Sequence, residues 1–269
     1  FWPANIHVIG KDIIRFHTVY WPAFLMAAGL DLPCTVFAHG FINVEGQKMS
    51  KSVGNVVSPY DLVDDLGLDQ TRYILMREVP HGQDGNFSRE HAIQRINGDL
   101  ANSLGNLAQR TLSMIYKNCD GKIPAPGKFL EADKMLLDHA QQRVLPGLRR
   151  HFDAFHIHRA LEDIMRLADE ANSYIDHQAP WTLKKEDPER MKTVLYVLAE
   201  TIRCLGIMML PVTPDSAHKM LDQLKIPKGV RDFSFIAPEG ALNGESAIDK
   251  PEGIFPRIIE DEEKEQASA

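Results

Sequence analysis

The sequence predicts an α/β unit followed by an all-α bundle. Three observations predict it. Strand, helix and strand alternate over residues 1 to about 40, the order of a parallel α/β unit. Helical apolar periodicity dominates from Ser88 onward. One strongly apolar segment, "RMKTVLYVLAETIRCLGIMML", reads as a helix buried at the centre of a bundle.

The elements follow in order. "IHVIG" (Ile6 to Gly10) is a short buried strand. "DIIRFHTVYWPAFLMAAGL" is a helix in which Pro22 forces a bend or a restart, and Gly29 marks its end. "CTVFAHGFIN" is β-branched and aromatic and reads as a second strand. "SPYDLVDDLGLDQTRYILMREV" gives two short helical pieces. "SREHAIQRINGDLANSLGNLAQRTLSMIYK" carries an apolar stripe at Leu100, Leu104, Leu107 and Ile115. "CDGKIPAPGKF" is a turn-rich break. A helix near Glu131 to Phe152 follows, and another from about Phe155 to Ala179 that Pro180 stops. After the central helix "PVTP" is a second break, and Asp215 or Ser216 would cap a last helix. Residues 229–269 are rich in Pro and Gly and read as loop or short strands.

Apolar residues make up 44% and charged residues 25% of the 269 residues, the balance of a globular protein. The longest apolar run, "CLGIMMLPV", is too short to span a membrane, and the N-terminus lacks the pattern of a signal peptide. Cys34, Cys119 and Cys204 lie far apart, which suits a reducing cytoplasm and offers no zinc site. The net charge of −7 argues mildly against a nucleic-acid partner. Its distribution weakens that argument. Ser88 to Ile123 carries five bases and three acids, whereas Pro251 to Ala269 carries six acids and two bases and ends in a solvated acidic tail.

Chemistry concentrates in "GQKMSKSVGN" (Gly46 to Asn55). Lys48 and Lys51 are point charges, and Ser50, Ser52, Gly46 and Gly54 let donors and backbone N–H groups approach oxygens. As bare chemistry this suits a polyphosphate, or it is a polar surface loop. A P-loop spacing is absent. In "HVIGKDIIRFHTVYWPAFL", Ile13 and His17 are i, i+4 and share a helix side. An apolar wall with one polar group suits a thioether, although a histidine there can equally be a satisfied core residue. Asn102, Asn106 and Arg110 share the side opposite the leucine stripe, and Trp181 follows Pro180 at a helix end. An exposed ring and amide and guanidinium groups suit unstacked RNA bases; alternatively these are the wet side of an amphipathic helix and the edge of a core. The histidines of "HFDAFHIH" fit no one helix side and read as surface.

These segments resemble a known family. "KMSKS" is the signature of class I aminoacyl-tRNA synthetases. "GKDI" with "RFH" and "YWPA", about thirty residues before that loop, closely resembles methionyl-tRNA synthetases of bacterial type, as do "NSLGNLAQR", "DHQAPW" and "GIFPRI". The resemblance implies the second half of a Rossmann-type catalytic domain over residues 1–60, a connecting stem-contact region over 61–103, a helical anticodon-binding bundle over 104–228 and a segment packing back over 229–269. It implies that Lys48, Lys51, Ser50 and Ser52 act on the triphosphate of ATP. Gly10, Lys11 and Asp12 lie against the adenylate, with His39 and Gly40 near the adenine. Ile13 and His17 line the methionine pocket. Asn102, Asn106, Arg110, Pro180 and Trp181 contact the anticodon. The implied reaction is ATP-dependent activation of L-methionine and transfer to tRNA(Met), with Mg²⁺ accompanying ATP. The family's HxGH-type motif and zinc-bearing insertion are not among these residues, and "FAHGF" is not that motif. The chain therefore reads as the C-terminal half of such an enzyme and is expected to be inactive alone. Two rivals fit less well. A tRNA-binding module without chemistry has no use for the lysine loop, and another class I synthetase would lack the block around His17.

Overall fold

The computed structural model describes residues 2–259. Strand β1 (Ile6–Gly10) pairs in parallel with β2 (Thr35–His39), with Ile6 opposite Thr35 and Gly10 opposite His39. Between them run a 3₁₀ turn (Lys11–Ile13), a π-helical stretch (Phe16–Tyr20) and helix α1 (Trp21–Ala27). Pro22 lies in the first turn of α1, where its missing N–H costs no helical bond. The proline thus restarts the helix.

The expected strand "CTVFAHGFIN" is two strands in two sheets. Strand β2 ends at His39, and β3 (Ile42–Val44) joins β4 (Gln47–Lys48) antiparallel and β5 (Gly85–Phe87) parallel, in the order β4-β3-β5. Gly40 is the break. A Cβ there would lie 1.9 Å from the carbonyl oxygen of Gln83, so only glycine admits this approach. Glu45 and Gly46 (φ 50° and 79°) close the β3–β4 hairpin in two residues, both left-handed as a type I′ turn requires. Strand β5 is three residues long, too short to announce itself by alternation.

Helices α2 (Pro59–Leu66) and α3 (Leu68–Glu78) lead to α4 (Arg89–Arg95), a π-helical stretch (Ile96–Gly105) and α5 (Asn106–Asn118). Then come α6 (Glu131–Asp138), a third π-helical stretch (His139–Val144), α7 (Leu145–Asp153), α8 (Ile157–Gln178), α9 (Pro180–Glu186), α10 (Pro188–Met209) and α11 (Pro214–Gln223). Helix α10 is buried nearly all round and packs on α5, α6, α8, α9 and α11, as its apolar sequence predicts.

Three local expectations are corrected. Pro180 ends α8 but also begins α9, again from a first-turn position. Asp215 and Ser216 do not cap α11. Thr213 holds the cap position, and the N–H of Ser216 is taken by the Asp69 carboxylate of α3 at 2.6 Å. Of loop or short strands for residues 229–269, loop holds over the described part, with 3₁₀ turns and one isolated bridge, Lys122 to Ala247. The "HFDAFHIH" histidines are half-buried, because the α7–α8 turn packs against β2 and the loop before β5. Near the C-terminal end Ile254 and Phe255 are buried, and the Asn97 amide exchanges two bonds with the Ile258 backbone (2.8 and 2.9 Å). Most of the predicted acidic tail lies outside the described residues.

Candidate functional site

Parallel pairing of β1 and β2 decides where the first group of residues meets. Gly10 stands opposite His39, so Gly10–Lys11–Asp12 and His39–Gly40 leave the sheet side by side at its carboxyl edge, the usual ligand edge of parallel α/β sheets. A Cβ on Gly10 would lie 2.6 Å from an Asp12 carboxylate oxygen, so that turn is glycine-tight. The His39 ring donates from Nδ1 to the Gly40 carbonyl at 2.8 Å.

A residue that sequence reasoning missed organises this edge. One oxygen of Asp84 accepts from Lys11 Nζ at 2.6 Å and from the Phe41 backbone N–H at 2.9 Å. The Lys11 ammonium bonded to it, then the Phe41 N–H, with Lys48 adding charge, hold the Asp84 carboxyl below the usual carboxylate range. The Phe41 ring has Lys11 Nζ 4.8 Å and Lys48 Nζ 4.6 Å from its centroid. Lys11 and Lys48 therefore converge on one ring and one carboxylate. The local signal for Asp84 is only a "GQDG" turn; its partners lie far away in sequence.

The lysine loop is braced from within. Asn55 accepts from the Ser50 N–H at 2.9 Å and donates to the Lys48 carbonyl at 3.3 Å. The Ser50 and Ser52 hydroxyls lie 2.6 Å apart. Gly54 takes φ 76° to turn the chain out. Lys48 belongs to β4, whereas the exposed Lys51 side chain makes no hydrogen bond or ion pair among the described residues. Preordered hydroxyls on a turn that also carries an unpaired lysine are chemistry that can receive an anion.

Ile13 and His17 flank this edge. His17 donates from Nδ1 to the Ile13 carbonyl at 3.1 Å and meets the His7 ring edge-on at 6.2 Å. Trp2 touches both His7 and Trp21. The rings continue the apolar surface beside Ile13. His7 Nδ1 is buried without a partner.

The second group lies on the bundle. Helix α8 runs beside the π-helical stretch and α5: Ser103 donates to Asp169 at 2.6 Å, and Asn172 to the Ser103 carbonyl at 3.1 Å. Arg110 donates to Asp176 at 2.7 Å, and its guanidinium carbon lies 5.5 Å from the Trp181 ring centroid. Ala179, left-handed at φ 44°, reverses the chain so that Pro180 is buried and Trp181 is 46% exposed. Arg110 and Trp181 thus come together. Asn102 and Asn106 are exposed on the continuous helical run that carries Arg110, and their side-chain amides make no hydrogen bond among the described residues. Asp169 and Asp176, which sequence reasoning missed, border this surface. Among the described residues no three His, Cys, Asp or Glu are grouped to hold a metal ion, and no helix is long and apolar enough to cross a membrane.

Comparison with known proteins bears on both groups. The family described as tRNA synthetases class I (M) matches residues 1–112, and the anticodon binding domain of methionyl tRNA ligase matches residues 123–269. The methionine–tRNA ligase of Brucella suis biovar 1 (strain 1330) is 55% identical over 264 residues, covering 98% of this chain and 51% of that protein. That of Rhizobium meliloti (strain 1021) is 52% identical over 259 residues, covering 96% and 50%. Mycobacterium tuberculosis methionyl-tRNA synthetase in complex with methionyl-adenylate superposes with a TM-score of 0.91 at 52% identity, over 95% of this chain and 50% of that one. The chain spans about half the length of the curated relatives it matches. A class I synthetase domain followed by a helical anticodon-binding domain, matched in that order, places the chain in the methionyl-tRNA synthetase family.

Proposed function

We propose that the protein carrying this chain is a methionine–tRNA ligase. It activates L-methionine with ATP and passes the methionyl group to tRNA(Met), in the cytoplasm. The observation that carries this reading is the convergence of Gly10, Lys11, His39, Gly40 and Lys48 around Phe41 and Asp84, in a chain of this family.

In the first step a methionine carboxylate oxygen attacks the α-phosphorus of ATP. The bond to the bridging oxygen breaks, and pyrophosphate leaves with the electron pair. Charge grows on the pyrophosphate, where Lys48 and Lys51 supply preorganised cations and Ser50 and Ser52 supply donors. Mg²⁺ enters with the nucleotide as part of the substrate. Gly10, Lys11 and Asp12 lie along the adenylate, and the His39–Gly40 turn borders the adenine. Ile13 and His17 face the thioether side chain. In the second step a hydroxyl of the terminal tRNA ribose attacks the acyl carbon, and AMP leaves. At the far end of the bundle Trp181 stacks on an anticodon base, Pro180 sets its position, and Asn102, Asn106 and Arg110 read base edges. Residues 61–103 connect the two ends, and 229–259 pack back on the bundle.

The test is amino-acid-dependent ATP–pyrophosphate exchange by the full-length protein. Methionine should support exchange; leucine, isoleucine and valine should not. Exchange with one of those three alone would point to another class I enzyme. tRNA binding without any exchange would leave a binding module.

A further inference from the structure

Phe155 stands in a backbone conformation that its side chain disfavours. Helix α7 closes with two bonds, His156 N to the His151 carbonyl (2.8 Å) and Phe155 N to the Phe152 carbonyl (3.0 Å). In that pattern the left-handed position is usually glycine. Here it is Phe155, at φ 58°, which for a bulky residue is an outlier. Such strain persists only where the surroundings hold it.

The ring shows what holds it. Phe155 stacks on Phe37 with centroids 4.6 Å apart and planes 23° apart. Phe37 lies on β2, two residues before His39. It also touches His81, with centroids 5.0 Å apart, and His81 meets His156 edge-on at 5.0 Å. Four rings therefore join the α7–α8 turn to β2 and to the loop Pro80–Asp84. That loop packs its Gln83 carbonyl against Gly40 and ends in Asp84, which bonds Lys11 Nζ and the Phe41 N–H.

We propose that Phe155 and His156 are positioning residues for methionine activation: the helical bundle uses this turn to pin β2 and the Pro80–Asp84 loop, and so fixes Asp84, Lys11 and Phe41. This rests on reading the β1–β2 edge as the ATP site. Neither residue touches that edge directly. They act by limiting how far Asp84 can drift, and displacements of about 1 Å at a reacting centre can cost up to about 10² in rate.

Phe155→Gly is the informative variant. It suits the left-handed backbone better than Phe does, so the helix end is kept while the ring is lost. Phe155→Tyr keeps the ring. In the full-length protein, kcat/KM for ATP in methionine-dependent exchange should fall roughly 10- to 100-fold in Phe155→Gly and stay within about twofold in Phe155→Tyr. Amide hydrogen exchange at Phe41, whose N–H Asp84 holds, should quicken in Phe155→Gly alone. Wild-type kinetics in Phe155→Gly, or equal losses in both variants, would overturn the proposal. Should wild-type protein show no methionine-dependent exchange, the functional reading fails, and the Phe41 amide still decides: unchanged exchange in Phe155→Gly refutes the pinning, and faster exchange supports it.

Discussion

Lys48 and Lys51 are held differently, and the difference assigns their work. Lys48 pairs through β4 with Asn43 and rests over Phe41, the ring that Lys11 also approaches, so its backbone is fixed. Lys51 stands on the braced turn with its ammonium unpaired among the described residues. An unpaired cation on a short loop can follow charge as it develops, so Lys51 should matter most in the transition state. Lys51→Ala in the full-length protein should slow pyrophosphate exchange by roughly 10²–10³ and leave the methionine dissociation constant nearly unchanged. A variant that exchanges normally but binds methionine poorly would contradict this role. The lysine loop was legible because its chemistry is contiguous: cations, hydroxyls and glycines within ten residues. Asp84 was not legible, since what marks it is its bonds to Lys11 and to the Phe41 N–H across 73 and 43 positions. The pairing of Arg110 with Asp176 was hidden for the same reason.

At the scale of elements, helix periodicity located every long helix but not how each begins and ends. Ile96, Leu100 and Leu104 are buried at repeated spacings of four. Spacings of four keep all three on the one buried side of the π-helical stretch. Gly105 lies within it, and a Cβ there would crowd the Leu100 carbonyl oxygen at 3.0 Å. The start of α11 depends on a residue 147 positions away, so no local pattern could reveal it. Asp69→Ala should leave the Ser216 N–H without its acceptor and cost about 1–2 kcal/mol of stability. Urea denaturation measures this directly, and a loss under about 0.5 kcal/mol would show that the Asp69 bond does not hold the start of α11.

At the scale of the molecule, α8 has 22 residues and is about 33 Å long. It separates the ring cluster at His156 from the Trp181 surface. The cluster is where acid should first weaken the fold. His156 is pushed below the ordinary histidine value by burial, then by His81, Arg159 and His151, and His158 by burial, then by Arg159, His156 and Arg77, with Glu162 opposing. His151 is itself paired with Asp163 at 3.3 Å. Unfolded histidines near pH 6.5 take protons first, so the junction's contribution is complete above about pH 6.5 and is lost as pH falls through the lower folded values. The melting temperature should drop on acidification below about pH 6.5, and less so in His156→Gln. An equal drop in both proteins would place the sensitivity elsewhere. The α/β-then-helical order was legible from periodicity, but this junction was not, because rings from three distant segments build it. The same length of α8 keeps the proposed RNA surface remote from the lysine loop, so one chain would carry two separable sites. Trp181→Ala in the full-length protein tests it through three assays on one variant. Losing one stacked base costs on the order of 1–3 kcal/mol, so tRNA charging should fall about 5- to 150-fold, while methionine-dependent pyrophosphate exchange and the melting temperature stay at wild-type values. Equal loss in all three would make Trp181 a structural residue at the edge of the core, and the two sites would not be separable.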